Sequence, residues 1–259
     1  MINKNKSILY VGKKLIGNSN VIYKKVDSIK NNLSIINKQN NDYVFTPNLV
    51  FSSEKFGIYV SEYFEGESLN NILLNDLTNT KEILKTLLSW FRNFYIVNKN
   101  PEVNPNKIPF KSLNPDKYIT KLNIDIKKHL IHGDLTPWNI IINKNGKICV
   151  LDWDNSGMGY PALDLARFIL QLYSKLIFKK RYKKQILKIF WNKMGTFYNY
   201  NTEIFIHSLA FQAKYSKGIF SDNIKNSQSL ISILKYLGVF LRLQYAIYEL
   251  KRNIRKLND

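Results

Sequence analysis

The run Ile140-Ile141-Ile142-Asn143-Lys144-Asn145-Gly146-Lys147-Ile148-Cys149-Val150-Leu151 restricts the fold more than any other part of the chain. Two apolar, β-branched runs flank Asn145-Gly146. Asn-Gly tolerates the positive φ that a two-residue type I′ turn needs at both central positions, so a β-hairpin is predicted here. With that turn, the register pairs Lys144 with Lys147, Asn143 with Ile148, Ile142 with Cys149, Ile141 with Val150 and Ile140 with Leu151. The next pair is Asn139 with Asp152. Directly opposed residues have Cβ atoms about 4.5–5.5 Å apart on one face, close enough for an amide oxygen and a carboxylate to meet one cation. Mg²⁺ takes oxygen ligands and keeps several waters, so one or two carboxylates plus substrate phosphates suit it. The predicted hairpin builds half of such a site, and a one-residue slip in register would undo it.

Asp134 lies in the Gly133–Trp138 loop that enters the hairpin, five residues before Asn139. Outside the strand, it can face whatever the metal holds and accept the proton of an attacking hydroxyl. Phosphoryl transfer needs little beyond charge neutralisation and an oriented nucleophile. Gly133 permits a tight backbone and Pro137 stiffens the loop. Asp154 adds a further carboxylate, and only Lys144 and Lys147 offer positive charge between Asp134 and Asp154. Carboxylates concentrated in so basic a chain are explained by a cationic cofactor that offsets them.

The remaining sequence is globular. Its 259 residues, 45% hydrophobic and 14% aromatic, suit one large domain or two lobes with a real core. The single cysteine, Cys149, excludes an intramolecular disulfide, and its apolar neighbours predict a buried, inert thiol. No apolar stretch is read as reaching the ~18 residues of a membrane span. Met1 to Ser7 is polar and lacks the apolar core of a signal peptide, so a cytoplasmic protein is expected. The net charge of +20 would attract nucleic acid, anionic membrane or polyphosphate, although Lys, Asn and Ile are abundant everywhere in the chain.

Residues 8–60 read as a small β-rich lobe. Ile8–Val11 and Val21–Val26 are strand-like runs around the turn-forming Gly17-Asn18-Ser19-Asn20. Asp27 is placed as the cap of a short helix over Ser28–Lys38, with Ile29, Leu33 and Ile36 on one face. Leu49–Ser52 and Gly57–Tyr63 form a second hairpin-like pair. Phe64–Leu69 breaks the pattern as a hinge, and Ser68 is a candidate helix cap. Apolar residues at helical spacing predict a helix over 80–97, and further helices over 163–178, 182–195, 203–217 and 228–256. Residues 99–116 carry four prolines and read as an irregular connection. Phe168, Tyr173, Phe190, Trp191, Phe197 and Tyr198 are read as core. The expected class is α+β, with an N-terminal lobe over 1–64 and a larger helical lobe over 65–259.

His132-Gly133-Asp134-Leu135-Thr136-Pro137-Trp138-Asn139 resembles the H-G-D-x-x-x-x-N catalytic loop of the aminoglycoside phosphotransferase and choline kinase superfamily, small-molecule kinases with a protein-kinase-like fold. Leu151-Asp152-Trp153-Asp154 resembles their metal-binding I-D-[WF]-[DE] segment. Residues 155–166 resemble the stretch that follows it. The likeness is specific over 129–170 and loose over 8–70. It implies that Asp134 is the catalytic base, that Asn139 and Asp152 hold Mg²⁺, and that Asp154 assists the metal or the substrate. It implies that His132 and Asp164 support the catalytic loop. Ile16–Val26 is similar to the nucleotide loop and strand of choline-kinase-like members, which implies an ATP site at Gly17, Asn18, Ser19, Asn20 and one of Lys24 or Lys25, with Lys25 preferred. Glu62, Tyr63 and Phe64 resemble the hinge that meets adenine.

One departure stands out. The family's helix offers a Glu to the lysine, yet residues 28–53 hold no acid but Asp42. Asn31, Asn32 or Asp27 is the available substitute. Gly133 in place of the H-R-D arginine, and only eleven residues between Asp152 and Asp164, argue against a protein kinase. The expectation is an ATP- and Mg²⁺-dependent kinase of a small hydroxyl acceptor: choline, ethanolamine, thiamine, a sugar or an aminoglycoside. For choline, Trp153, Tyr160 and Asp154 are candidate contacts. The alternative is a catalytically degenerate module whose basic face holds RNA or an anionic partner.

Overall fold

The computed structural model describes residues 10–15, 19–97, 128–176, 179–195, 202–227 and 229–256. In chain order the first elements are β1 (Tyr10–Lys14), α1 (Ser19–Asn37), β2 (Val44–Phe45), β3 (Leu49–Ser53), β4 (Ile58–Glu62), β5 (Glu67–Ser68), α2 (Leu69–Asn75) and α3 (Leu77–Val97). Then come β6 (His129–Ile131), a 3₁₀ turn at Pro137–Asn139, β7 (Ile140–Ile142), β8 (Ile148–Val150), a 3₁₀ turn at Trp153–Asn155 and β9 (Gly157–Gly159). Four helices end the chain: α4 (Pro161–Lys175), α5 (Lys180–Met194), α6 (Thr202–Lys225) and α7 (Leu230–Arg255). This is the expected α+β class, a protein-kinase-like arrangement with a small sheet-bearing lobe and a larger helical one.

The small lobe is an antiparallel sheet in the order β1-β4-β3, covered by α1. Here the structure corrects the sequence reading. Val21–Val26 is not a strand and Asp27 caps nothing, because both lie inside α1. Val26, Ile29, Leu33 and Ile36 recur at spacings of three and four and are all buried. Burying such side chains stabilises by roughly 1.5–3 kcal/mol each. That outweighs a β preference whose whole range is about 1 kcal/mol. Ser19 and Asn20 open the helix, while Gly17 and Asn18 fall outside the described residues.

The second sheet runs β2-β8-β7-β5, with β2 parallel to β8 and the rest antiparallel. The hairpin exists, but its register differs by one residue. Ile140 faces Val150, Ile141 faces Cys149 and Ile142 faces Ile148. Asn143 causes the shift. Its Oδ1 accepts the backbone N–H groups of Asn145 and Lys147, each at 2.9 Å, and its carbonyl accepts Gly146 N–H at 3.0 Å. The loop is therefore three residues, Lys144-Asn145-Gly146, with Gly146 at φ 76° as the left-handed residue of a bulged turn. Asn139 consequently lies opposite Leu151, whose N–H donates to the Asn139 carbonyl at 2.8 Å, and not opposite Asp152.

The helical lobe matches the expected elements within a few residues, except that α6 continues to Lys225. Phe168, Tyr173, Phe190 and Trp191 are buried as expected; Phe197, Tyr198 and the proline-rich stretch 99–116 lie outside the described residues. Cys149 is fully buried and burial pushes its thiol pKa up, in keeping with an inert side chain. Lys183 on α5 and Glu249 on α7 form a buried ion pair. α7 is long and apolar enough, by length and composition alone, to cross a membrane. Its C-terminal half packs into the core through Ala246, Ile247, Leu250 and Ile254, while its N-terminal half exposes Leu230, Ile231, Leu234 and Leu241.

Candidate active site

The His132–Asn139 loop is fixed from both sides. β6 pairs with β9, so the strand leading to His132 lies against the strand leaving Asp154. α4 then brings Asp164 beneath the loop. Its carboxylate accepts the backbone N–H of His132 at 2.6 Å and of Gly133 at 2.9 Å, and the Tyr95 hydroxyl at 3.3 Å. Burial raises the Asp164 pKa to about 7, against the opposing pull of these three hydrogen bonds. Gly133 sits at φ 81°, and a Cβ there would lie 2.0 Å from the Asn155 carbonyl oxygen. No other residue fits.

His132 joins the loop to the acidic segment. Its Nε2 lies 2.8 Å from the Leu151 carbonyl and its Nδ1 accepts Asp134 N–H at 3.2 Å. These partners require the neutral tautomer with the proton on Nε2. Burial lowers the pKa of the ring accordingly. Trp153 packs against His132 with centroids 4.5 Å apart and the rings tilted by 42°, and donates its indole N–H to the Val150 carbonyl.

Asp152 is the one non-glycine residue at positive φ among those described, at φ 61° and ψ 58°. The left-handed turn lets the chain leave β8 and present Asp152 and Asp154 together. Both carboxylates are held by Lys13, a residue that sequence reasoning passed over. Lys13 Nζ is 2.7 Å from Asp152 Oδ1 and also pairs with Asp154 Oδ2. In the β1–β4 register Lys13 lies opposite Tyr59, so both side chains share a face, and the Tyr59 hydroxyl donates to Asp154 Oδ1. Burial pulls the Lys13 pKa down, but the two aspartates together carry it above the ordinary value.

The absent helix acid is thus not replaced from α1. Asn32 donates to the Ser156 carbonyl and hydroxyl, and Asn31 to Asp27. Lys25 is half-buried on α1, and the strand alternation that favoured it does not exist. The expected strand Ile8–Val11 stopped short of Lys13, whereas β1 runs over Tyr10–Lys14, and nothing local distinguished Lys13 from Lys14, Lys24 or Lys25.

Between the lobes lies a cavity of about 260 Å³. Lys13, Tyr59, Asp152 and Asp154 line it, as do Glu62, Tyr63 and Phe64 and the apolar Ile29 and Leu33. The structure therefore brings the three expected hinge residues and the two metal-segment acids to one space. Asn139 Nδ2 donates to the Asp134 carbonyl at 3.0 Å, which directs its Oδ1 away from that bond. Asp134 Oδ1 is 2.5 Å from Arg167 Nη2 on α4 but makes no aligned hydrogen bond. Among the described residues no three His, Cys, Asp or Glu side chains cluster as metal ligands. The two carboxylates and one amide are nevertheless hard oxygen donors of the type Mg²⁺ takes, and the ammonium of Lys13 already bridges the two carboxylates as a cation.

A two-lobed kinase-like fold thus carries the His132–Asn139 loop and an interlobe cavity lined by Asp152 and Asp154. The comparisons agree. Residues 115–178 match the model of a phosphotransferase enzyme family. The solved structure of a spectinomycin phosphotransferase with AMP bound is similar at a TM-score of 0.62 and 13% identity, over 93% of this chain and 88% of that one. An aminoglycoside phosphotransferase in complex with gentamicin gives 0.56 and 13%, over 94% and 88%. Choline kinase from Streptococcus pneumoniae gives 0.52 and 15%, over 95% and 88%. A comparison with curated proteins finds no match. Family match and fold together support a small-molecule phosphotransferase.

Proposed function

We propose that this protein transfers the γ-phosphoryl group of ATP to a hydroxyl of a small molecule, with Mg²⁺ as cofactor. The observation that carries the reading is Lys13 clamped between Asp152 and Asp154 at the interlobe cavity. A cation held there by two acids is placed to meet phosphate oxygens. Glu62, Tyr63 and Phe64 supply the adenine end, and the division at 64/65 falls at this hinge. Asn139 and Asp152, with Asp154 in support, would hold Mg²⁺, which when bound neutralises phosphate charge. Asp134 accepts the proton of the acceptor hydroxyl. The hydroxyl oxygen bonds to the γ-phosphorus, the bond from that phosphorus to the β,γ-bridging oxygen breaks, and ADP leaves. Asp164, Gly133 and His132 hold Asp134 in place. The setting is cytoplasmic, where ATP is available.

The test is Mg·ATP turnover against choline, ethanolamine, thiamine, hexoses and kanamycin, run beside Asp134→Asn. Acceptor-stimulated ADP release that Asp134→Asn reduces by about 10²–10⁴-fold supports the reading. Absence of ATP binding sinks it and turns attention to the basic surface, where salt-dependent RNA binding would be the readout.

A further inference from the structure

A second cavity, of about 180 Å³, opens between α4, α6 and α7. It adjoins the catalytic loop through Arg167, which lines the cavity and also reaches Asp134. Resting on the phosphotransferase reading above, this is the space next to the base where an acceptor would lie, and its chemistry selects among acceptors.

The walls are mainly aliphatic and aromatic, Leu170, Ile219, Tyr215 and Phe240 among them, with the neutral polar Gln171 and Asn223. Arg167 is the one charged residue among those lining it, and no carboxylate does. The guanidinium lies 5.2 Å over the Tyr215 ring, which holds it at the cavity. Arg167 Nε is buried there without a hydrogen-bond partner, while its Nη2 pairs with Asp134 Oδ1. A buried donor of this kind is ordinarily satisfied. A ligand that satisfies it must offer an oxygen to Arg167. Between Gln212 and Leu243 the described charges on α6 and α7 are Lys214, Lys217, Lys225, Lys235 and Arg242 against the single acid Asp222. That field opposes a cation and favours an anion.

The acids and aromatics that a quaternary ammonium would want are elsewhere. Trp153 and Tyr160 are buried, neither lines this cavity, and Asp154 is held by Lys13 and Tyr59. We propose that the acceptor is a small anionic hydroxyl compound, a single-ring or similarly compact hydroxy acid, whose carboxylate or equivalent oxyanion pairs with Arg167 while its hydroxyl meets Asp134. Polycationic aminoglycosides and choline are disfavoured by the same groups.

Three probes with one skeleton test this: 4-(hydroxymethyl)benzoate, 1,4-benzenedimethanol and 4-(hydroxymethyl)benzylamine. Each is measured by calorimetric binding and by Mg·ATP-dependent ADP release, with choline and kanamycin alongside. The expected result is binding of the benzoate at least about tenfold tighter than of the amine, a fold-change near 1.4 kcal/mol. Arg167→Gln should abolish the preference and Arg167→Lys should keep part of it, both with thermal unfolding near that of the parent. Equal binding, preference for a cation, or no binding of the benzoate overturns the proposal. Phosphorylation of choline or kanamycin with loss in Asp134→Asn overturns it while leaving the phosphotransferase reading intact. Arg167-dependent benzoate binding without ATP binding does the reverse.

Discussion

Lys13 Nζ donates to Asp152 Oδ1 at 2.7 Å although 139 positions separate the two residues. The pair lines the interlobe cavity, and Asp154 joins it from the same turn. Both members of the Lys13–Asp152 pair are more than a third exposed, so solvent screens it and its share of stability is small. Lys13→Met should nevertheless unfold below the parent, because Asp154, 6% exposed, keeps only the Tyr59 hydroxyl and loses its counter-charge. Its kcat/KM for ATP should fall on the order of 10²–10³-fold, the usual loss when one charge-stabilising donor is removed. Steady-state kinetics and a thermal melt on the same preparation check both halves.

Gly133→Ala is expected to damage fold and activity together. A left-handed backbone costs an L-residue roughly 1–2 kcal/mol, and the new Cβ would also meet the Asn155 carbonyl oxygen at 2.0 Å. The loop must move, and with it the N–H groups that Asp164 holds. Urea denaturation should show a loss above about 2 kcal/mol, with turnover reduced beyond what residual unfolding explains. Parental stability in this variant would mean the loop is looser than it stands here.

His132 sets a pH dependence with a definite sign. Its folded pKa is lowered by burial, below the ~6.5 of a free imidazole. As pH falls through that range, the unfolded chain takes up the proton first. The stabilisation is present above about pH 6.5 and is lost toward lower pH, with a limiting slope of about 1.4 kcal/mol per pH unit for one proton. Urea midpoints at several pH values for the parent and His132→Gln isolate this contribution as the difference in slope. Parallel curves would assign the acid sensitivity to other groups.

The buried Lys183–Glu249 pair ties α5 to α7. Lys183→Met alone leaves Glu249 without its counter-charge and should cost about 3–5 kcal/mol. Lys183→Met with Glu249→Leu should return close to the parent, because two apolar groups replace two desolvated charges. A double variant no better than the single one would show that the pair contributes net stability.

Much of the site was legible because its signals are local. His132, Gly133, Asp134 and Asn139 lie within eight residues, and Asp164 accepts the backbone N–H groups of His132 and Gly133. The Glu62–Phe64 hinge lines the interlobe cavity with Asp152 and Asp154. The errors have equally specific causes. Val21-Ile22-Tyr23 favours a strand intrinsically, but Val26 completes a helical stripe buried against the sheet. Asn145-Gly146 suggested a two-residue turn, and the Asn143 side chain made it three.

By itself the sequence determined the helix faces, the presence of the hairpin and the composition of the His132–Asn139 loop, since periodicity, turn chemistry and short spacing are properties of neighbouring residues. Only the tertiary structure decided which lysine meets the acids, how Asp152 is aimed and that Arg167 borders Asp134. Lys13 resembles other lysines in its segment until β1 takes its register on β4 and sets it beside Tyr59, facing Asp154. Arg167 likewise gains its meaning from α4 packing under the loop, because a charge is defined by what surrounds it in space and not by what precedes it in the chain.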